Sequence, residues 1–337
     1  MEKQSKKIAV IILNWNGKEL LERFLPSVLK FSTQAEVIVV DNASVDDSIS
    51  YLQNNFPDTR IISFEKNLGF AEGYNEALKR VDNEYVVLLN SDVRVTKHWL
   101  EAPLEFLEAH TNYAACQPKI KDEKAPNMFE YAGASGGYID ALGYPFCRGR
   151  IFDALEEDSG QYNTTKDVFW ASGAAFFVKR KAYMEIGGLD ASFFAHQEEI
   201  DLCWRFLNQG YKIACVPQST VYHLGAATLD AAHPKKTFLN FRNNLTMMLK
   251  NLPTYLLPLI ILRMILDGVA GLKYLFDGQF KHFTAILKAH ASFYARIPST
   301  LKKRGVTRRM EKSIQYKNWI LFDYFIKGNK SFEKLRW

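Results

Sequence analysis

Three long apolar runs and a shorter fourth, each stopping at an amide or carboxylate side chain, constrain this chain more than any other feature. Residues 8–13 lead to Asn14, residues 37–40 after Glu36 to Asp41, the short stretch 60–64, broken by Arg60 and Ser63, to Asn67, and residues 85–89 to Asn90, Ser91 and Asp92. A continuous apolar run bounded by polar residues reads as a strand buried on both faces. Between the runs the spacing turns helical. Leu20, Leu21, Phe24, Leu25, Val28 and Leu29 lie on one helical face, and residues 42–48 carry turn and cap types before a second helical stretch. A glycine-punctuated segment from Asn67 to Asn75 opens a third helix reaching about Val81, and a fourth is expected over about residues 97–110.

The order β-α-β-α-β-α-β-α predicts a parallel sheet with helices on both faces. Sheets of this kind bind ligands beyond the carboxyl ends of their strands, where Asn14, Asp41, Asn67 and Asp92 all fall. Asp92 is placed to hold a divalent cation against phosphate oxygens, although Asn90, Ser91 and Asp92 would serve equally as a turn or helix cap. No G-x-G-x-x-G follows the first strand and no G-x-x-x-x-G-K-[ST] occurs, which weighs against dinucleotide-binding and P-loop folds.

The 337 residues can bury a full core, as one large domain or two smaller ones. A net charge of +6 is mild on this length, so its distribution matters more than its size. Cys116, Cys147, Cys203 and Cys215 form no C-x-x-C pair, so neither a zinc ribbon nor a redox motif is indicated. The first apolar run is short and lacks a small-residue cleavage site; the expectation is no signal peptide and a reducing, cytoplasmic location.

From about residue 121 to residue 166 the periodicity fades while Gly133, Gly136, Gly137, Gly143 and Gly149 accumulate, which reads as long loops with one hairpin. Residues 168–178 end in a strand, and Gly173 within them admits either close approach of a ligand or tight packing. A helix is expected from Glu198 to a stop at Gly210, with Asp201 and Arg205 paired one turn apart. Glu198 and Glu199 suit the positive end of that helix. Pointing about 100° apart, they can also serve two sites. Residues 212–216 and 220–224 read as two strands, with His223 near the end of the second.

Taken in order, these segments resemble family 2 glycosyltransferases of the GT-A fold, in particular the bacterial rhamnosyltransferase-like branch that builds surface polysaccharides. The residues that carry it are Ile12-Leu13-Asn14-Trp15-Asn16-Gly17, Val39-Val40-Asp41-Asn42-Ala43-Ser44, and Asn67-Leu68-Gly69-Phe70-Ala71 with Gly73 and Asn75. Leu89-Asn90-Ser91-Asp92, Ser172-Gly173-Ala174, Gly187-Gly188-Leu189-Asp190, and Glu198-Glu199-Ile200-Asp201-Leu202 through Arg205 complete it, so that it covers about residues 7–228. The resemblance implies an α/β, GT-A-type nucleotide-diphospho-sugar transferase fold, Rossmann-like with a mostly parallel central sheet, over residues 1–230. A C-terminal helical extension would occupy residues 231–337.

It also implies roles. Asp41 would accept a hydrogen bond from the pyrimidine of a UDP- or dTDP-sugar, with Asn14, Asn16, Asn67, Gly69, Asn90 and Ser91 in the same nucleotide site. Trp170, Ser172, Gly173 and Asp201 would lie on the donor-sugar and acceptor side. Asp92 matches the last residue of the family's D-x-D motif, which holds Mg²⁺ or Mn²⁺ on the diphosphate as a Lewis acid. Asn90 stands at the motif's first position, so Asp92 would carry most of the protein's contribution. His223 resembles the late histidine that some relatives supply to the metal, and imidazole suits Mn²⁺ better than Mg²⁺. Glu198 and Glu199 stand where the family has an acidic pair. Glu199 is expected to take the proton of the acceptor hydroxyl in an inverting displacement, with Glu198 as the alternative.

Past Ala231 the resemblance fades. Residues 252–262 are uncharged and apolar, while Arg263, Asp267 and Lys273 interrupt the apolar character that continues to Phe276, so the uninterrupted run is short for a spanning helix. No carboxylate lies between Asp277 and Glu311, where Lys281, Lys288, Arg296 and Lys302 alternate with Phe280, Phe283, Ile286, Leu287, Phe293, Tyr294 and Ile297. That composition fits an interfacial helix on anionic lipid, or helices packed on the body with a solvated basic face. No nucleic-acid reader motif accompanies it. The expected enzyme is thus a metal-dependent inverting glycosyltransferase, peripheral at the inner face of the cell membrane, acting on a glycan or polyprenyl-linked acceptor. A sugar-1-phosphate nucleotidyltransferase would open with a glycine-rich G-x-G-T-R-like loop, which Asn14-Trp15-Asn16-Gly17 is not. A catalytically silent membrane adaptor is the alternative from another class, and retention of Asp41, Asp92 and the acidic pair weighs against it.

Overall fold

The computed structural model describes residues 6–225 and 233–337. Its first half follows the apolar runs: β1 (Ile8–Asn14), α1 (Lys18–Phe31), β2 (Ala35–Asp41), α2 (Ser48–Asn55), β3 (Arg60–Ser63), α3 (Gly69–Leu78) and β4 (Tyr85–Asn90). These four strands are parallel, in the order β4-β1-β2-β3. Alternate residues of β1, β2 and β4 enter opposite cores. Ala9, Ile11, Ile38, Val40, Val86 and Leu88 pack on one face, while Ile8, Val10, Ile12, Val39, Val87 and Leu89 pack on the other. Burial on both faces is why these strands lack polar alternation. The register sets Asn14 opposite Asp41 and Leu13 opposite Asn90, so the polar strand ends form one row.

Beyond β4 the sheet becomes mixed. A short β5 (Val93–Val95) precedes α4 (Glu101–Ala109), so the fourth helix starts later than its periodicity predicts. β6 (Tyr113–Asp122) runs into the region expected to be loops, which instead builds a second, small sheet. Its strands β7 (Gly137–Asp140), β8 (Pro145–Cys147), β9 (Arg150–Ile151) and β10 (Ala154–Leu155) are two to four residues long, too short to show a period. Gly137 makes room for Trp170, whose indole would lie 2.0 Å from a Cβ at that position. Next come β11 (Lys166–Asp167), β12 (Ala175–Lys179) and α5 (Arg180–Glu185), then α6 (Glu198–Gln209), which stops at Gly210 with φ +91° as its sequence predicts. The two strands expected over residues 212–224 are one, β13 (Lys212–His223), whose pairing with β6 shifts between Val216 and Thr220 around Pro217. β12 joins the parallel half to β6 and β13 by antiparallel pairing with β4.

The boundary expected at residue 230 falls outside the described residues, as do the first five. On its far side α7 (Pro234–Asn251) buries Leu239, Leu245, Met247 and Met248, worth about 1.5–3 kcal/mol each, and therefore packs as part of the body. α8 (Pro258–Phe276) and α9 (Phe280–Lys302) follow. β14 (Gln315–Tyr316) then pairs parallel with β7, and α10 (Ile320–Phe325) is tied down through Ile320 N donating to Asp140 Oδ2. Ile286 and Phe293 of the basic segment turn into the interior, so only part of the set expected on lipid faces outward.

Candidate active site

The row of strand ends is laced together by its own side chains. Asn14 Nδ2 donates to Asp41 Oδ1 and to Ser44 Oγ, both at 3.2 Å, and Asp41 Oδ2 accepts from Ser44 N at 3.0 Å. Asn16, at φ +50°, donates its backbone N–H to Ser44 Oγ and accepts from Val45 N. Asn42, which sequence reasoning did not single out, bonds Asn67 Oδ1 through Nδ2 and Leu68 N through Oδ1, joining the β2 end to the start of α3. Gly69 opens that helix at φ +76°, a conformation glycine adopts without cost. Each carboxylate oxygen of Asp41 keeps a lone pair for a further donor. Asn14 Oδ1 is buried with no partner among the described residues.

Two positions along this edge lies a second cluster. β5 pairs with the end of β13 and thereby sets Asp92 beside His223: Asp92 Oδ1 is 3.2 Å from His223 Nε2, and Asn90 Nδ2 is 3.5 Å from the same nitrogen. On its other side the imidazole Nδ1 lies 3.1 Å from Glu130 Oε1. Burial opposes charge on His223, but Glu130 and Asp92 outweigh it and push its pKa up to about 10. Glu130 sits in the segment read as loops, and no sequence signal marks it. Among the described residues no group of three or more His, Cys, Asp or Glu is poised to hold a metal ion, so Asp92 and His223 form an open pair rather than a closed cage.

The acidic pair starts α6 across a short gap. A Cβ at Gly173 would stand 3.5 Å from the Phe70 ring and 4.0 Å from Glu199 Cβ, so this glycine brings the start of α3 and the start of α6 together. Burial, then the neighbouring Glu199, raises the Glu198 carboxyl well above its ordinary range, and burial pushes Glu199 up to about 7. One oxygen of each, with His196 Nε2, is buried without a partner among the described residues. Burial likewise lowers His196 to about 4, leaving it neutral at pH 7.

The segment leading into the pair is strained. Phe194, His196 and Gln197 all have φ near +70°, a region that costs a non-glycine residue roughly 1–3 kcal/mol. α7 holds it there. Asn243 Nδ2 reaches the carbonyl oxygens of Phe193, Ala195 and His196 at 2.8–3.1 Å, Arg242 donates to that of Phe193, and Asn244 donates to Gln197 Oε1.

Of the four residues expected on the sugar and acceptor side, only Gly173 lines the gap. Trp170 is buried with Nε1 donating to Tyr138 O, and Ser172 is spent on Gln117 and Ala174. Asp201 is fully buried and receives Arg205, Lys250 and Asn251. Burial opposes its charge, but Lys250 and Arg205 hold its carboxyl below the usual range. These three brace the site rather than line it. The Arg205 pairing was visible as an i,i+4 spacing; Lys250 and Asn251 were not, because they arrive from α7.

Residues 9–187 match the profile of glycosyl transferase family 2. The chain is 24% identical over 254 residues to the N-acetylglucosaminyl-diphospho-decaprenol L-rhamnosyltransferase of Mycobacterium tuberculosis, covering 69% of this chain and 83% of that one. Its fold resembles the mannosyltransferase PcManGT from Pyrobaculum calidifontis in complex with GDP-Man and Mn²⁺, with a TM-score of 0.52, 14% identity, and coverage of 90% and 88% of the two chains. It also resembles S. aureus TarS 1-349 in complex with UDP-GlcNAc, with a TM-score of 0.55, 16% identity, and coverage of 87% and 83%.

Proposed function

Since the chain belongs to glycosyl transferase family 2 and is a glycosyltransferase with the GT-A fold, we propose that it moves a hexose or deoxyhexose, with inversion, from a UDP- or dTDP-sugar to a hydroxyl of a lipid-linked glycan. The observation that carries this is the meeting of three groups at one sheet edge: the Asn14–Asp41 strand ends, the Asp92–His223 pair, and the acidic pair behind Gly173. Asp41 accepts from the pyrimidine, and Asn14 orients it by donating to Oδ1. The relative that works on a decaprenol-linked substrate supports a polyprenyl-linked acceptor. Such an acceptor would place the reaction at a membrane surface.

Asp92 and His223 would hold a divalent cation, Mn²⁺ or Mg²⁺. Asp92 Oδ1 and His223 Nε2 converge at 3.2 Å, and the ion would displace the proton that Glu130 and Asp92 favour on the imidazole. A neighbour of the same fold in complex with Mn²⁺ supports such an ion. When bound, the ion neutralises charge on the departing nucleoside diphosphate. Glu130 fixes which imidazole nitrogen faces the ligand. Glu199 takes the proton of the acceptor hydroxyl as it attacks the anomeric carbon; a pKa near 7 suits a base working at neutral pH. Glu198, deeper and more strongly raised, stays protonated beside it and spares the site a second negative charge.

Calorimetry with UDP, dTDP and GDP, each with and without Mn²⁺, tests the donor half. The expected result is metal-dependent binding of UDP or dTDP that is lost in Asp92→Ala. Absence of binding by any diphosphate, or binding indifferent to Asp92→Ala, would overturn it.

A further inference from the structure

α8 is inside out. Its charged residues Arg263 and Asp267 are buried against the body and paired at 2.7 Å, with His290 Nε2 3.4 Å from Asp267 and the guanidinium 3.6 Å from the Tyr144 ring centroid. Its outward stripe is Ile261, Ile265, Val269, Leu272 and Phe276, each 50–85% exposed. These positions recur at intervals of three and four and run for about 22 Å at 1.5 Å per residue. Within the helical stretch Thr254–Phe276 an 18-residue window has a mean hydropathy of 1.8, and only 22% of that window is buried.

The stripe does not end with α8. Phe280, at the turn into α9, is exposed beside Phe276. The α8 stripe and the Phe276–Phe280 turn thus form an exposed apolar strip, larger than the scattered apolar residues of an ordinary surface. Exposed Lys281 and Lys288 follow it on α9, and exposed Lys273, beside the stripe on α8, is paired with Asp277.

We infer that this face lies in the interfacial layer of an anionic bilayer, with the α8 stripe and the Phe276–Phe280 turn sunk among the acyl chains and the lysines at the phosphates. Apolar residues facing out and charges facing in is the arrangement lipid selects, and a basic margin complements anionic headgroups. A second copy is the poorer occupant. A two-fold dimer apposes the same patch to itself and would set these lysines near their own images. α8 does not cross the bilayer while docked, because Arg263 also binds Leu142 O and Asn244 Oδ1 and ties the helix to the body.

The assignment deepens the proposed reaction and rests on it for its consequence, which is access. Asn244 links Arg263 of α8 to Gln197, the residue before Glu198. One helix thus separates the lipid-facing surface from the acidic pair, so a hydroxyl carried on a lipid-anchored chain needs no extraction into water.

Flotation of the full chain with vesicles of phosphatidylglycerol and phosphatidylcholine tests this. The wild type should float, while Ile265→Glu/Val269→Glu should lose vesicle binding more than about tenfold, since both carboxylates would face anionic lipid. Ile265→Leu/Val269→Leu should float like the wild type. UDP binding by the Glu variant, measured alongside, shows that it is folded. A wild type that stays at the bottom of the gradient would overturn the inference. So would a Glu variant that floats normally, or a wild type that forms a dimer the Glu variant breaks. Loss of nucleotide binding in the wild type would instead count against the transfer reaction and leave the lipid face standing.

Discussion

The proposed nucleotide edge and the proposed acidic pair lie at one edge of the sheet but are built in opposite ways. Asn14 and Asp41 are ends of neighbouring parallel strands, and the register alone sets them opposite each other. Glu198 and Glu199 come after a segment whose backbone is held out of its preferred conformation by a helix that arrives only after residue 233. The first is placed by secondary structure, the second by tertiary clamping. Binding should therefore be robust to changes around α7, while turnover should be fragile to them.

The largest effect is expected at the base. Glu199→Gln should lower turnover about a thousandfold, within the usual range for losing a general base, and leave nucleotide affinity unchanged. In the wild type kcat/KM should rise with pH through about 7, because the base works only when deprotonated, and the residual rate of the variant should lack that limb. A parallel loss of nucleotide binding would break the division between the two regions.

Next is the clamp. Three residues near φ +70° store roughly 3–9 kcal/mol, against which the two N–H groups of the Asn243 amide, shared among three carbonyls, and Arg242 supply hydrogen bonds at about 1–2 kcal/mol each. The two sums are comparable, so removing the Asn243 amide should let the segment relax. Asn243→Ala should reduce kcat about 10–100-fold with little change in the Kd for the donor nucleotide. Equal losses in both would mean that α7 supports the whole fold rather than the acidic pair.

These contrasts also explain what the sequence disclosed. The parallel half was readable because double-faced burial leaves unbroken apolar runs, and the α6 boundaries because Glu198 and Gly210 are local signals. The small sheet was not, since strands as short as Arg150–Ile151 carry no period. Asp92 could be nominated from its strand end and His223 only through the family resemblance, but Glu130 could not, because its role exists only in contact with His223. In α8, Arg263 and Asp267 read as interruptions of an apolar stretch. Turned inward as a pair, they leave the outer face unbroken.

A smaller effect should come from the nucleotide edge. Asp41→Asn keeps the shape but removes a charged acceptor, and a hydrogen bond to a charged group is worth about 1.5–3 kcal/mol. UDP or dTDP affinity should fall about tenfold or somewhat more, while turnover at saturating donor stays near that of the wild type. A collapse of turnover at saturation would show that the edge also positions the reacting centre.

The smallest effect is on stability, and its sign sets the acidic pair apart from the braces around it. Asp201 has its carboxyl held low in the folded protein by Lys250 and Arg205, so it contributes stability above its unfolded pKa that is lost as pH falls through its folded one. Glu198 is the reverse. Burial and Glu199 raise its folded pKa, so the folded state binds the proton more tightly than the unfolded chain does. The carboxyl then costs nothing at pH 4, and stability falls with rising pH from about 4.5 upward until the folded pKa is passed. Glu198→Gln removes that ionisation at nearly constant volume. It should raise stability at pH 8 by about 1 kcal/mol, a Tm increase of about 2 °C, and leave the Tm at pH 4 unchanged. Scanning calorimetry at the two pH values checks it. An equal shift at both would mean that the variant acts through packing, and the raised proton affinity of this pair would lose its standing as the feature that separates catalytic from bracing carboxylates here.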